Sequence, residues 1–290
     1  MKVTIFTPTF NRAYIIEQLY RSLQRQTCFE FEWLVVDDGS SDNTKELFEG
    51  WMKEENAFPI RYYKQENGGK HRAINRGLEL ASGELFFTVD SDDYLTDDAV
   101  EKVIRWVAEL PNEDAYCGVA GNLGTTLTIT PNRCFPGEHL DGTALDRYGA
   151  VDGERAMVFY TKIHQRYPYP EYAGEKFVTE AVAWNRMAND GYKMRFYNDI
   201  IWIYEYMEDG LTKAGSRLFL ENPRGYGLWL REKSLFLGES WKQRMNMYYT
   251  FSCDLADQLD LKEIAECIGA SKTLIVCMQI VHRMINKIRK

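Results

Sequence analysis

The sequence has no excess of positive charge: 35 lysines and arginines stand against 43 aspartates and glutamates, a net charge of −8. That balance favours solubility and argues against a general nucleic-acid binder, which would carry a basic surface. CxxC pairs are also lacking. The six cysteines (Cys28, Cys117, Cys134, Cys253, Cys267 and Cys277) are scattered, with no histidine nearby at zinc-finger spacing. Buried free thiols in a reducing compartment are the expectation. His139, His164 and His282 show no metal spacing either. No stretch reaches the roughly 18 apolar residues of a membrane-spanning helix. The opening residues, Met1 to Pro8, have too short an apolar run for a signal peptide, so a cytoplasmic location is expected. Internal repeats and low-complexity segments are absent, as is the GxxxxGK[ST] phosphate loop. What is present is a chain of 290 residues, 45% hydrophobic and 14% aromatic. Such a chain buries a sizeable core as one large domain, or as a domain with an appendage.

The first hundred residues alternate in type. Val3 to Thr7, Trp33 to Val36, Ile60 to Tyr63 and Leu85 to Val89 are short β-rich runs. Between them, residues 13–25, the segment carrying Leu47, Phe48, Trp51 and Met52, and residues 70–81 place apolar side chains at helical spacing. This alternation predicts βαβ units, hence an α/β fold with a mainly parallel sheet flanked by helices. Further along, helices are expected over 97–109 and 175–190, and β-rich segments over Tyr116–Thr130 and Met194–Tyr206. The Gly-, Pro- and charge-rich stretch from Pro131 to Glu154 reads as a surface loop. From about Leu218 the pattern is all helical. The expected division is residues 1–215 for the α/β domain and 216–290 for a helical C-terminal appendage.

Two acidic clusters carry the chemistry. Val35-Val36-Asp37-Asp38-Gly39-Ser40-Ser41-Asp42-Asn43-Thr44 and Thr88-Val89-Asp90-Ser91-Asp92-Asp93 each follow an apolar run read as a buried strand. Carboxylates at the lip of a sheet lie where ligands bind in open α/β folds. Crowded there, they repel one another unless a cation or hydrogen-bond donors compensate. A divalent metal carrying a phosphorylated ligand explains both clusters. Magnesium or manganese favours oxygen ligands and accepts phosphates and water in its other positions, so Asp90-Ser91-Asp92 is sufficient. The plainer readings are a helix cap or turn for Asp92 and Asp93, and a tight turn for Asp37-Asp38-Gly39-Ser40. Pro8 and Phe10, at the end of the first strand, can supply a flat apolar surface for a nucleobase. Gly68-Gly69-Lys70-His71-Arg72 suits an anion or a base edge, or forms a solvated first helical turn.

Thr7-Pro8-Thr9-Phe10-Asn11-Arg12, VVDDGSSDNT, ENGGKHRAINRG (Glu66 to Gly77) and VDSDD, taken in that order, resemble the family 2 glycosyltransferases of GT-A (Rossmann-like) fold. The resemblance covers residues 1–100 closely and continues more weakly to about 212. It implies inverting transfer of a sugar from a nucleotide-sugar donor, assisted by Mg2+ or Mn2+. It assigns Asp92 as metal ligand with Asp90, and Asp90, Ser91 and Asp93 as donor contacts. It makes Asp38, beside Asp37, the acceptor of a hydrogen bond from the base, which favours uracil and hence a UDP-sugar. Pro8, Thr9, Phe10, Asn11, Gly69, Lys70 and His71 complete the implied donor site. The family's general base sits in an acidic pair four residues before a Trp that is followed by an Arg. Here Thr179-Glu180-Ala181-Val182-Ala183-Trp184-Asn185-Arg186 matches, with Glu180 as base, Thr in place of the first acid and Glu in place of Asp. Glu175 and Glu171 are the fallbacks. A glycan or lipid-linked acceptor, in surface polysaccharide or glycoconjugate synthesis, is implied by the resemblance alone.

Two other classes are open. A sugar nucleotidyltransferase would open with a Gly-rich loop, whereas the loop here, TPTFNR, has no glycine. A catalytically silent nucleotide-sugar-binding module would be consistent with the altered acid pair before Trp184. Lys272 to Lys290 mixes apolar with basic residues. Such a helix can lie on the inner face of an anionic membrane, or equally pack as a terminal helix with a charged end.

Overall fold

The computed structural model describes residues 2–149, 151, 153–205, 207, 213 and 215–288. They divide into two compact units, the first comprising residues 1–168 with 187–208 and the second 169–186 with 209–290.

The first unit holds all the strands in one sheet. β1 (Val3–Thr9), β2 (Phe31–Asp37), β3 (Ile60–Lys64) and β4 (Leu85–Thr88) alternate with the helices α1 (Glu17–Gln24), α2 (Thr44–Trp51) and α3 (Lys70–Leu80). β5 (Tyr94–Leu95), α4 (Ala99–Ala108), β6 (Tyr116–Gly124), β7 (His139–Gly142), β8 (Arg155–Tyr160), α5 (Thr161–His164) and β9 (Lys193–Ile203) follow. The order is β3-β2-β1-β4-β8-β6-β9-β5, with β7 also pairing β9. β3, β2, β1 and β4 run parallel, as the alternation predicts for βαβ units. The other half is mixed: β8 lies antiparallel between β4 and β6, and β9 is parallel to β6 but antiparallel to β5 and β7. The loops after β1, β2, β3 and β4 therefore emerge from the all-parallel half of the sheet.

Strands covered on both faces read as continuous apolar runs, and every residue of β1 and β2 is buried. The helices supply the cover: α1 buries Leu19, Tyr20 and Leu23, and α4 buries Val100, Val103 and Trp106. α3 comes unusually close to β1, because a Cβ on Gly77 would fall 2.3 Å from the ring of Phe6.

The second unit is helical: α7 (Ser216–Leu220), α8 (Pro223–Phe236), α9 (Trp241–Asp254), α10 (Leu261–Ile268) and α11 (Lys272–Ile288). Its core gathers Phe251, Leu255, Ile264, Ile268 and Ile275. The boundaries follow local chemistry. Asp260 accepts from Lys262 N and Glu263 N while Glu263 returns a bond to Asp260 N, a capping box, and Gly269 ends α10 at φ 68°. α6 (Ala181–Asn189) straddles the division of the chain.

Several expected elements change. The helix expected over 175–190 begins only at Ala181, and upstream of it Lys176 N and Phe177 N donate to Asn222 Oδ1. β6 ends at Gly124, short of Thr130, and the expected loop over 131–154 contains β7 and a 3-10 turn, Ala144–Tyr148. The β-rich run expected to end at Tyr206 closes at Ile203, and Tyr206 lies outside the described residues. All six cysteines are free thiols, but only Cys117 and Cys267 are buried, and Cys134 and Cys277 are exposed.

Candidate active site

The parallel strands deliver the loops after β1, β2, β3 and β4 to one edge of the sheet. Hydrogen bonds stitch these loops together. Asp38 N donates to Thr9 O (2.8 Å), Asn11 N to Ser40 Oγ (2.8 Å), Ser41 N to Asn11 Oδ1 (2.8 Å) and Ala13 N to Asp42 Oδ2 (2.9 Å). Asn11 has φ 52°, a left-handed conformation that Asn tolerates better than most residues. Burial pushes the Asp42 carboxyl up, but bonds from Thr44 and Ala13 outweigh it and hold the group below its ordinary value. Pro8 and Thr9 are buried in β1, whereas the next residue, Phe10, leaves 46% of its surface exposed at the strand end.

Asp37 and Asp38 are both buried, and their carboxylates are engaged within the chain. Asp37 accepts from Ser40 N (2.7 Å) and from the Tyr62 hydroxyl. Burial, then the bond to Asp37, raises the Tyr62 phenol well above its usual range. Asp38 Oδ1 accepts from Gln65 Nε2 (2.8 Å) and Gly68 N (2.9 Å), and Oδ2 from Gly69 N (2.6 Å) and Asn67 Nδ2 (3.1 Å). A carboxylate offers about four lone-pair sites, so these donors saturate it. In this arrangement Asp38, expected to contact a nucleobase, pins the β3–α3 loop. Gly69 N–H is likewise spent on Asp38, and Gly69 takes φ 96°, which a side chain would resist. His71, in the first turn of α3, is buried.

The four residues after Val89 split in two directions. Asp90 Oδ1 lies 2.6 Å from Lys70 Nζ, at the start of α3, and Asp92 Oδ2 lies 4.0 Å from Arg12 Nε, on the β1–α1 loop. Gln18 of α1 also donates to the Asp92 carbonyl. The site thus draws Arg12, Lys70, Asp90 and Asp92 from three separate loops. Burial, then the neighbouring Asp90 charge, raises the Asp92 carboxyl above its ordinary value. Ser91 is buried between them. Asp93 faces the other way: its oxygens accept from Trp202 Nε1 (2.7 Å) and Glu205 N (3.3 Å), fastening the loop to the end of β9. Burial, then repulsion from Asp90 and Asp92, pushes Asp93 up to about 8. Asp93, expected as a donor contact, is thus bonded to Trp202 and Glu205 within the chain.

Among the described residues no group of three or more His, Cys, Asp or Glu side chains forms a metal cage. Asp90 and Asp92 nevertheless fit a hard cation that shares its shell with phosphate and water. Both offer only carboxylate oxygens, and Asp92 is destabilised in its charged form by Asp90, a strain that a cation relieves.

In the second unit Glu180 sits in the turn that opens α6, where its carbonyl accepts from Trp184 N (3.4 Å) and Tyr169 Oη (3.4 Å). Glu175 is buried, with Oε1 accepting from Arg224 N (2.8 Å) and Oε2 from Gly225 N (2.9 Å). It caps the first turn of α8, so the fallback base is a structural carboxylate. Glu171 is exposed. Arg186, of the same motif, forms a bidentate pair with Glu232.

Sequence reasoning missed the Lys70–Asp90 and Arg12–Asp92 pairs and the Asp93–Trp202 bond, all of which join distant segments. Basic residues in two of the motifs were the available signal for the first two; nothing local marks Trp202.

The profile of Glycosyl transferase family 2 matches residues 4–175. A GalNAc(5)-diNAcBac-PP-undecaprenol beta-1,3-glucosyltransferase of Campylobacter jejuni is 33% identical over 123 residues, 42% of this chain and 38% of that protein. The matched stretch is thus well under half of the curated relative's length. Among solved structures, Staphylococcus aureus TarS 1-349 in complex with UDP-GlcNAc superposes with a TM-score of 0.63 at 16% identity, covering 98% of this chain and 92% of that one. The mannosyltransferase PcManGT of Pyrobaculum calidifontis, in complex with GDP-Man and Mn2+, gives 0.51 at 16% identity over 96% and 86%. At that identity the likeness is one of fold, and it agrees with the GT-A expectation. With a family match across more than half of its length, the chain belongs to glycosyl transferase family 2.

Proposed function

We propose that the chain is an inverting glycosyltransferase that moves a sugar from a UDP-sugar to a hydroxyl of a glycan or lipid-linked acceptor. The observation that carries the reading is the convergence of Asp90, Asp92, Lys70 and Arg12 beside the stitched loop that exposes Phe10. Phe10 offers the apolar face on which a base stacks. Lys70 and Arg12 are the cations that can turn from their carboxylates to a diphosphate. Asp38 acts through the β3–α3 loop that it holds. Asp92 with Asp90 would hold Mg2+ or Mn2+, which when bound supplies positive charge against the departing diphosphate. Glu180 takes the proton of the acceptor hydroxyl as its oxygen attacks the anomeric carbon, and the bond to the diphosphate breaks on the opposite face. The assignment of Glu180 rests on its spacing to Trp184 and Arg186.

Support for the donor class comes from the bound UDP-GlcNAc of the TarS structure and for manganese from PcManGT. Support for a lipid-linked acceptor comes from the undecaprenol-linked substrate in the name of the Campylobacter relative. A cytoplasmic site of action fits a chain whose cysteines are all free thiols. The test is a screen of nucleotide-sugars with Mn2+, read by nucleotide release. We expect UDP release from one UDP-sugar, stimulated by an acceptor and lost with EDTA. Tight UDP binding without release from any donor, with or without acceptors, would identify a binding module instead.

A further inference from the structure

Helix α11 (Lys272–Ile288) turns one face to its own unit. Ile275 is fully buried, Gln279 Nε2 donates to Ser252 O (3.2 Å), and His282 Nδ1 is hydrogen-bonded to the Tyr249 hydroxyl (2.8 Å). The opposite face is apolar and exposed. Cys277, Ile280, Val281 and Met284 recur at i, i+3, i+4 and i+7, which places them in one stripe. Cys277 is exposed, and Ile280, Val281 and Met284 keep 45%, 48% and 59% of their surface accessible. A helix facing only water carries polar side chains along that line.

Charge identifies what covers the stripe. From residue 272 to 290 the sequence contains Lys272, Arg283, Lys287, Arg289 and Lys290 and no aspartate or glutamate, in a chain whose net charge is −8. Two copies packed stripe to stripe would bring these like charges together. An anionic bilayer satisfies the apolar stripe and the basic residues at once. No single helix among the described residues is long and apolar enough to cross a membrane, and α10 with α11 passes by length and composition only as a pair bent by 111°. α10 buries Ile264 and Ile268 in the core of its own unit, which leaves the exposed stripe of α11 to meet a membrane surface.

We propose that α11 is a docking helix for anionic lipid, seating Cys277, Ile280, Val281 and Met284 at the boundary between headgroups and acyl chains. This goes beyond the glycosyl-transfer reading and does not depend on it, since its test measures partitioning and not turnover.

The full chain is sedimented with vesicles of phosphatidylcholine, and with vesicles in which about a third of that lipid is replaced by phosphatidylglycerol. The expected result is co-sedimentation with the anionic vesicles only, weakened by salt. The variant Ile280→Ser/Val281→Ser/Met284→Ser should lose binding at an unchanged melting temperature, since the altered side chains are exposed. Arg283→Gln/Lys287→Gln tests the charge independently and should weaken partitioning roughly fivefold per residue. Absence of sedimentation, or equal sedimentation with both vesicle types, would overturn the proposal. So would a dimer, seen by light scattering, that the serine variant converts to monomer, because a second copy would then be the occupant.

Discussion

Lys70 shows how one side chain can couple two ligands. Its ammonium lies 2.6 Å from Asp90, while Arg12 stands 4.0 Å from Asp92. A divalent cation arriving alone has to compete with both. A nucleotide diphosphate changes the balance, because its oxygens offer Lys70 and Arg12 another partner and leave the carboxylates to the metal. Metal and nucleotide should therefore bind cooperatively. Lys70→Met keeps the aliphatic stem and removes the charge. A partly exposed ion pair is worth up to about 1 kcal/mol, a factor of about five. By calorimetry, Lys70→Met should bind Mn2+ alone roughly fivefold more tightly and UDP without metal roughly fivefold more weakly. Unchanged affinities for both would remove Lys70 from the site. None of this pairing was legible in the sequence. Local chemistry marked Asp90, Asp92 and Lys70 as candidates, but ion pairs between loops depend on strand order, which spacing along the chain does not encode.

At the scale of elements, the two ends of the parallel strands carry opposite kinds of acid. Site carboxylates crowd the ends that lead into the loops, whereas Glu32, near the start of β2, is buried and fully provided with donors. Its Oε1 accepts from Thr4 Oγ1 (2.7 Å) and Ser82 N (2.7 Å), and its Oε2 from Arg61 Nη1 (2.8 Å). That network ties β1, β2 and β3 to the turn entering β4. Burial pushes Glu32 up, but bonds from Arg61, Thr4 and Ser82 outweigh it, and the carboxyl sits below its ordinary value. A group depressed on folding contributes stability that is complete above its unfolded pKa and is lost as pH falls through the folded one. Glu32→Gln should therefore cost about 2 kcal/mol at neutral pH. The gap to the wild type should close on acidification below about pH 4. Chemical denaturation at pH 7 and at about pH 3 measures this, and a pH-independent gap would show that shape rather than charge is at stake. Element type was legible where strand and helix alternate, because each βαβ unit is a local pattern. β8 was not anticipated: Arg155–Tyr160 belongs to no βαβ unit and pairs antiparallel with β4 and β6. The helix expected from residue 175 starts at Ala181, and Asn222 of the following segment accepts from Lys176 N and Phe177 N, a contact that local spacing does not mark.

Across the whole molecule, binding and chemistry are assigned in the proposed reading to stretches far apart in sequence. In that reading residues 8–12, Lys70 and Asp90 with Asp92 bind the donor, and Glu180 takes the proton. The motif around Trp184 pointed to Glu180 as the base, with Glu175 and Glu171 as fallbacks. The structure separates Glu180 from Glu175, because both oxygens of Glu175 accept from backbone amides of α8. Replacing each should therefore fail differently. Glu175→Gln removes a charge from the start of a helix, where it is worth about 0.3–1 kcal/mol, so it should lower the melting temperature with little change in turnover per folded molecule. Glu180→Gln should leave both the melting temperature and the dissociation constant for UDP unchanged. It should lower kcat by about 10²–10⁴-fold, the usual loss when a general base is removed. Because glutamine cannot accept the proton, raising the pH should not restore the rate within the range where the wild type is active. Full activity in Glu180→Gln would move the base elsewhere. A parallel loss of UDP affinity would instead make Glu180 a donor-binding residue, and the proposed division between binding and chemistry would fall.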